Sequence, residues 1–238
     1  MTQQDRADRV AIVTGASGAI GAAVAERLRE NGDHVVGLDA RPGEGVLCCD
    51  VTREDEVDTA FRQVATEAGP VRVLVHAAGV TGSGSVEEEP PDEWRRILEV
   101  NLTSAYLVTR AAIPQMRAAG GGAIVLVASV NARFGGSALS GPAYAASKGG
   151  LVTLARFLAR EHAADGITVN AVAPGPHATP MWEALDAQRR ERILAMIPGG
   201  RGPGDPRDLA ATIVHLCAPE SGYITGATID VNGGQWMG

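Results

Sequence analysis

Short stretches rich in apolar residues recur along the chain at 10–13, 34–38, 46–49, 71–75, 123–128, 167–172 and 227–231, and are unbroken at 10–13, 46–49 and 123–128. Runs of this length without polar alternation predict strands covered on both faces. The stretches between them carry the mixed polar and apolar pattern of helices. These follow the glycines at 15–21 to about 30, then cover 53–68, run from 92 through 101, cover 103–119, run from Tyr144 to about 164, and cover 181–196 and 208–218. Local punctuation agrees. Glu54, Asp55 and Glu56 place negative charge in a first helical turn, while Gly69-Pro70, Gly120-Gly121-Gly122 and Gly166 stop helices. The loop 131–142 reads as flexible, and no repeat, linker or low-complexity tract interrupts the alternation, which predicts an α/β fold.

A length of 238 residues suits one large domain with a substantial core. The 45% hydrophobic and 21% charged fractions are those of a globular protein, and 30 glycines point to tight turns or close backbone approaches. A net charge of -7 argues against nucleic acid or an anionic membrane surface as the main partner. The longest apolar run, 123–128, is too short to cross a bilayer, and residues 1–6 lack the apolar centre of a secretory signal. Cys48 and Cys49 are adjacent and Cys217 is distant, which gives neither a disulfide framework nor a CxxC pair and predicts a reducing, cytoplasmic setting. The five histidines, His34, His76, His162, His177 and His215, are scattered, so no metal site is expected.

The candidate chemistry begins at the first strand, which runs into Thr14-Gly15-Ala16-Ser17-Gly18-Ala19-Ile20-Gly21 and then a helix. Glycines there let backbone approach a pyrophosphate, and the helix N-terminus offers free N–H groups and a positive dipole end. Asp39 ends the second strand eighteen residues past Gly21, placed to accept hydrogen bonds from both ribose hydroxyls of an adenosine. Its negative charge would repel a 2′-phosphate, so NAD is favoured over NADP, although Arg41 two residues on offers a partner for that phosphate. The small residues Ala77, Ala78 and Gly79 leave room for a cofactor against the strand ends, and Ser129 ends a buried strand where open α/β sheets bind ligands. Of 21 basic residues only Lys148 is lysine, and it stands four residues after Tyr144. On a helix the two share a face, so the ammonium would lower the phenol's pKa from about 10 toward working pH. The stretch 181–196 lies between Pro/Gly-rich segments, a composition that suits a mobile lid over a site, about 180–200.

With these residues in view, the chain resembles the short-chain dehydrogenase/reductase family over nearly its whole length. The motifs carrying the resemblance are Thr14-Gly15 through Gly21, Asp50-Val51, Ala78-Gly79, Asn101, Ser129, Tyr144 with Lys148, Pro174-Gly175 with Thr179, and Thr225-Gly226 before Asp230-Val231-Asn232-Gly233-Gly234. The resemblance implies a single Rossmann-type domain over 1–238, a doubly wound seven-stranded parallel sheet with helices on both faces, and commonly a homotetramer. It also implies that Tyr144 is the acid/base and Ser129 binds the carbonyl or alkoxide oxygen. Lys148 would hold the nicotinamide ribose, and Asn101 would anchor a water relaying protons through Lys148. The dinucleotide would lie along Gly15, Ser17, Gly18, Ala19, Ile20, Gly21, Asp39, Asp50, Val51, Ala77, Ala78, Gly79, Pro174, Gly175, His177 and Thr179. Three departures stand out: Ala19 replaces a usual glycine, His76-Ala77 replaces a pair of asparagines, and the fifteen-residue step from Ser129 to Tyr144 is about two residues longer than is common. In that enlarged loop Ser137 and Ser140 compete with Ser129.

The implied activity is NAD(H)-dependent interconversion of a secondary alcohol and a ketone, with the C-terminal half closest to 3-oxoacyl-thioester reductases. A polyol, sugar or cyclitol dehydrogenase is the alternative, and a non-catalytic dinucleotide sensor is the reading from another class. An acidic carrier protein would need basic docking residues; Gly122 and Asp165 offer none, which leaves Arg133 as the candidate. Met181, Trp182, Leu185, Met196 and Ile197 are expected to line an apolar lid, or to pack it.

Overall fold

The computed structural model describes residues 9–238; the polar segment 1–6 lies outside them. Seven strands, β1 (Val10–Thr14), β2 (His34–Asp39), β3 (Val46–Cys48), β4 (Val71–His76), β5 (Gly122–Val127), β6 (Ile167–Pro174) and β7 (Thr228–Val231), form one sheet in the order β3-β2-β1-β4-β5-β6-β7. All pairings are parallel. Alternation within β1 shows why its sequence is unbroken in hydrophobicity. Val10 and Ile12 face one core with Leu74 and Ile124, while Ala11 and Val13 face the other with Val75 and Val125.

The first core is closed by α2 (Glu54–Glu67), α4 (Ser104–Ala118) and α6 (Pro142–Glu161), through Phe61, Val108, Met116 and Leu151. On the opposite face, α1 (Ala19–Glu30) and α9 (Pro206–Cys217) bring Val24, Leu28, Leu209 and Ile213. Each such side chain removed from water contributes roughly 2 kcal/mol. The strand order reverses beside β1, where β2 leads one way and β4 the other, and a crevice opens at the C-terminal ends of β1 and β4.

Several boundaries differ from the sequence expectation for local reasons. The helix from 92 begins as α3 (Pro91–Leu98) and passes through a wide π-helical turn, Glu99–Thr103, directly into α4. The loop 131–142 is not wholly irregular. A short helix α5 (Asn131–Phe134) starts there, with the Asn131 N–H donating to Ser129 Oγ at 3.2 Å. The helix expected from Tyr144 to about 164 starts at Pro142, whose ring suits a first helical position, and ends at Glu161 before a 3₁₀ turn. The lid stretch is two helices, α7 (Pro180–Glu183) and α8 (Ala187–Leu194), because Asp186 is extended and its carboxylate caps α8 by accepting from the Arg189 N–H at 2.8 Å.

Candidate active site

At the end of β1 the backbone turns with Gly15 at φ +67°, where a side chain would meet the Ala78 backbone at 2.8 Å. A Cβ on Gly21 would stand 2.2 Å from Gly15 O, so the first turn of α1 packs onto the loop only because residue 21 is glycine. Gly18 caps α1 without any side chain, and the first turn carries no acid, which leaves the helix end open to an anion. Ala19, in place of the family's glycine, is the first residue of α1 and does not disturb this turn.

Asp39 ties this loop to β2. Its Oδ2 accepts from the Ser17 N–H at 3.1 Å and its Oδ1 from the Arg41 N–H at 2.9 Å, while the Arg41 side chain is exposed and reaches Oδ1 only at 3.5 Å. Beside it, Cys49 N donates to Asp39 O, which sets Asp50 and Val51 next along the same sheet edge. The Asp50 carboxylate accepts from Thr52 N and Oγ1 at 3.0 and 2.7 Å, and Val51 packs into the core beneath.

The crevice wall is built around His76. Thr14 Oγ1 lies 2.9 Å from its Nδ1 and accepts from the Ala78 N–H at 3.2 Å, and Ser104 Oγ lies 3.3 Å from its Nε2. Burial, with a smaller effect from nearby Lys148, pushes the His76 pKa down to about 3, so the ring is neutral and bridges β1, β4 and α4.

Asn101 sits in the π-helical turn, fully buried. Its Oδ1 accepts from Val80 N at 2.8 Å, and its Nδ2 donates to Val80 O and Ser147 Oγ, both at 3.0 Å. The loop after β4 is thereby clamped to α6. A Cβ on Gly79 would lie 3.3 Å from both Asn101 Oδ1 and Lys148 Nζ, so these two polar groups converge on the space that the glycine leaves.

Tyr144 and Lys148 do share a face of α6, with Nζ 5.7 Å from the phenol ring centroid and donating to Val127 O at 2.8 Å. Ser129 and Tyr144 line the same cavity wall. The expected lowering of the phenol pKa by Lys148 is not what the protein alone produces. Burial raises the Tyr144 pKa, with Ser129 pulling the other way, and burial also brings Lys148 down to about 8. Desolvation dominates because both groups are withdrawn from water together.

These groups open into a cavity of about 510 Å³. The structure brings Ile20, Ala77, Gly79, Ser129, Tyr144, Lys148, Pro174, Gly175, His177 and Thr179 together on its wall. The other expected residues lie away from it, with Gly15, Ser17, Gly18, Ala19, Gly21, Asp39, Asp50, Val51 and Ala78 at the ends of β1 to β4 and Asn101 behind the wall. Gly175 passes close to the chain after β7, where a Cβ would meet Asn232 Cα at 2.9 Å, and His177 Nδ1 lies 3.0 Å from Gly175 O. Thr179 Oγ1 accepts from Trp182 N at 3.2 Å and caps α7. Ser137 and Ser140 also line the cavity, but Ser140 Oγ donates to Ser137 O at 3.1 Å, whereas Ser129 is the serine that acts on the Tyr144 pKa. Met181, Trp182, Leu185 and Met196 form the lid side; Ile197 is buried and not on the wall.

Arg133 does not serve as a free docking cation. Its guanidinium grips Asp230 at 2.9 and 2.7 Å and Thr228 O at 2.8 Å, tying α5 to β7. Four residues near the site escaped the sequence reading. Glu89 Oε2 accepts from Ala143 N at 3.0 Å in the first turn of α6, while Arg189, Arg192 and Gln235 line the cavity. Only the arginines carried a signal, their three-residue spacing on the lid helix.

A glycine cradle at the switch point of a parallel sheet, fitted to a pyrophosphate by Gly15, Gly21 and the open end of α1, beside a Ser-Tyr-Lys cluster, defines a nicotinamide-dinucleotide oxidoreductase acting on CH–OH or C=O groups. The family model described as enoyl-(acyl carrier protein) reductase matches residues 15–235, and the chain belongs to the short-chain dehydrogenase/reductase family. It is 37% identical to the 3-oxoacyl-[acyl-carrier-protein] reductase of Vibrio cholerae, over 96% of this chain and 98% of the relative. It is 36% identical to the acetoacetyl-CoA reductase of Shinella zoogloeoides, over 96% and 99% of the two chains. Among solved structures, the ligand-free aldohexose dehydrogenase of Thermoplasma acidophilum superposes with a TM-score of 0.88 at 32% identity, over 97% of this chain and 95% of the other. Among the described residues no helix is long and apolar enough to cross a membrane.

Proposed function

We propose that this protein is a cytoplasmic, homotetrameric NAD(H)-dependent reductase of 3-oxoacyl thioesters. The observation that carries the reading is the convergence of Ser129, Tyr144 and Lys148 on the wall of a lidded, largely apolar cavity. The substrates named for its relatives supply the thioester.

In this reading Asp39, the glycines before α1 and Lys148 would hold the dinucleotide, whose nicotinamide would supply or accept the hydride. Ser129 donates to the substrate oxygen, and Tyr144 gives it the proton that turns an alkoxide into an alcohol. Lys148, charged below about pH 8, holds the ribose and places positive charge beside the phenol. Asn101 and Lys148 flank the space at Gly79 where a water passes protons inward. The raised pKa of Tyr144 keeps it protonated at neutral pH, as a proton donor for reduction requires.

The preference for NAD rests on Asp39, whose carboxylate is fixed by Ser17 and Arg41 N–H groups at the end of β2 and would repel a 2′-phosphate. Replacing it by serine is expected to shift the ratio of kcat/KM for NADH over NADPH at least tenfold toward NADPH, a repulsion worth about 1.4 kcal/mol or more. An unchanged ratio would remove the argument.

The direct test is the nicotinamide absorbance change with NADH and acetoacetyl-CoA, run beside Tyr144→Phe. Loss of the phenol proton is expected to cost roughly a thousandfold in kcat while dinucleotide binding persists. A polyol, sugar or cyclitol substrate is the second reading, favoured by Asn131, Ser137, Ser140 and Gln235 on the same wall. Silence with thioesters and turnover of such alcohols would establish it. Silence with both, dinucleotide binding intact, would leave a sensor.

A further inference from the structure

The cavity is apolar along Phe134, Leu139, Met181, Trp182 and Ile193, yet its lid side holds two cations, Arg189 and Arg192. They stand three residues apart on α8, so they share a face. The helix sorts its charges: Arg190 and Glu191 line a different recess, on the outer side with Leu194. Neither cavity-facing guanidinium is neutralised by an ion pair. Arg192 has no hydrogen bond or ion pair with any described residue. Arg189 Nε is buried without a partner, and its Nη2 reaches only Gly82 O, at 3.4 Å.

The acids around Arg189 have other partners. Glu88 accepts from Ser85 N, Glu93 is held by Arg96, and Glu89 Oε2 accepts from Ala143 N. Glu89 Oε1 is buried without a partner beside Gly82, in a recess that Arg189 also lines. Arg192 is exposed at the mouth of the cavity and has no ion-pair partner among the described residues.

We propose that Arg192, assisted by Arg189, is an anion subsite that selects substrates bearing a phosphate or carboxylate beyond the oxo group. An apolar body then fills the cavity while its charged end meets the lid helix, a fit for either a phosphopantetheine thioester or a free oxo acid. This rests on the proposed use of the cavity for an oxo substrate.

The test compares acetoacetyl-4′-phosphopantetheine with acetoacetyl-pantetheine, and 3-oxohexanoate with its methyl ester, in the wild type, Arg192→Gln and Arg192→Lys. Loss of a charge-assisted hydrogen bond is expected to raise KM for the charged member about tenfold relative to its neutral partner in Arg192→Gln, with the ratio largely restored in Arg192→Lys. A response confined to the first pair identifies a phosphate, and one confined to the second a carboxylate. Equal shifts within both pairs overturn the subsite while leaving the thioester reading intact. If none of the four is reduced, that reading falls, and calorimetric titration of 4′-phosphopantetheine and 3-oxohexanoate into the dinucleotide-bound protein decides the subsite alone. Binding weakened by Arg192→Gln supports it; no binding, or equal binding, overturns it.

Discussion

A single histidine at the floor of the crevice makes the fold sensitive to acid. His76 has its pKa lowered from 6.5 to about 3, so between those values the unfolded chain binds a proton that the folded chain refuses. Stability therefore holds above about pH 6.5 and falls as the pH drops through that window, by at most about 5 kcal/mol from this group. His76→Asn, which restores an amide of the family pattern, is expected to flatten the decline. Urea midpoints of both proteins between pH 7 and pH 4 check this, and parallel curves would clear His76 of the effect. The role was not legible beforehand, because an isolated histidine in sequence says nothing of Thr14 and Ser104 on either side.

Among the elements, the turn from β1 into α1 leaves least room for change. Gly21→Ala would force a Cβ onto Gly15 O, and overpacking of this kind costs about 2 kcal/mol. The expected outcome is a lower urea midpoint together with weakened dinucleotide binding, read by fluorescence. An unperturbed variant would mean that the loop relaxes and the cradle is softer than its contacts imply. The glycine pattern and the seven apolar runs were readable because backbone conformation and burial on both faces act locally on residue choice. Other features depend on distant partners. Glu89 reaches the first turn of α6 across 54 positions, and Asn101 belongs to a π-helical turn that no periodicity marks. The break between α7 and α8 was legible in principle, since Asp186 is a good cap, but an uninterrupted amphipathic pattern masks it.

For the molecule as a whole, Tyr106 on α4 and Phe157 on α6 stand 52% and 61% exposed on helices covering the same face of the sheet. Aromatic side chains left in water on neighbouring helices are suited to a subunit contact. The proposed homotetramer predicts a mass in solution of four times 24.6 kDa by light scattering. Phe157→Glu is expected to lower it to that of a smaller species, and a monomeric wild type would refute the assembly.

The strand order also fixes how the polypeptide can be built up as it is synthesised. β2 and β3 add outward from one side of β1, β4 takes its other side, and β5, β6 and β7 follow at the growing edge, so no strand has to be inserted between two already paired. A chain emerging N-terminal end first can extend its sheet without undoing earlier hydrogen bonds. The phosphate cradle is then complete early, whereas Ser129, Tyr144 and the Pro174–Thr179 wall come together only when β5 and β6 dock. A truncated product ending before β6 would retain the cradle's glycines without the proton donor's setting, which makes binding separable from turnover in the history of a single nascent chain.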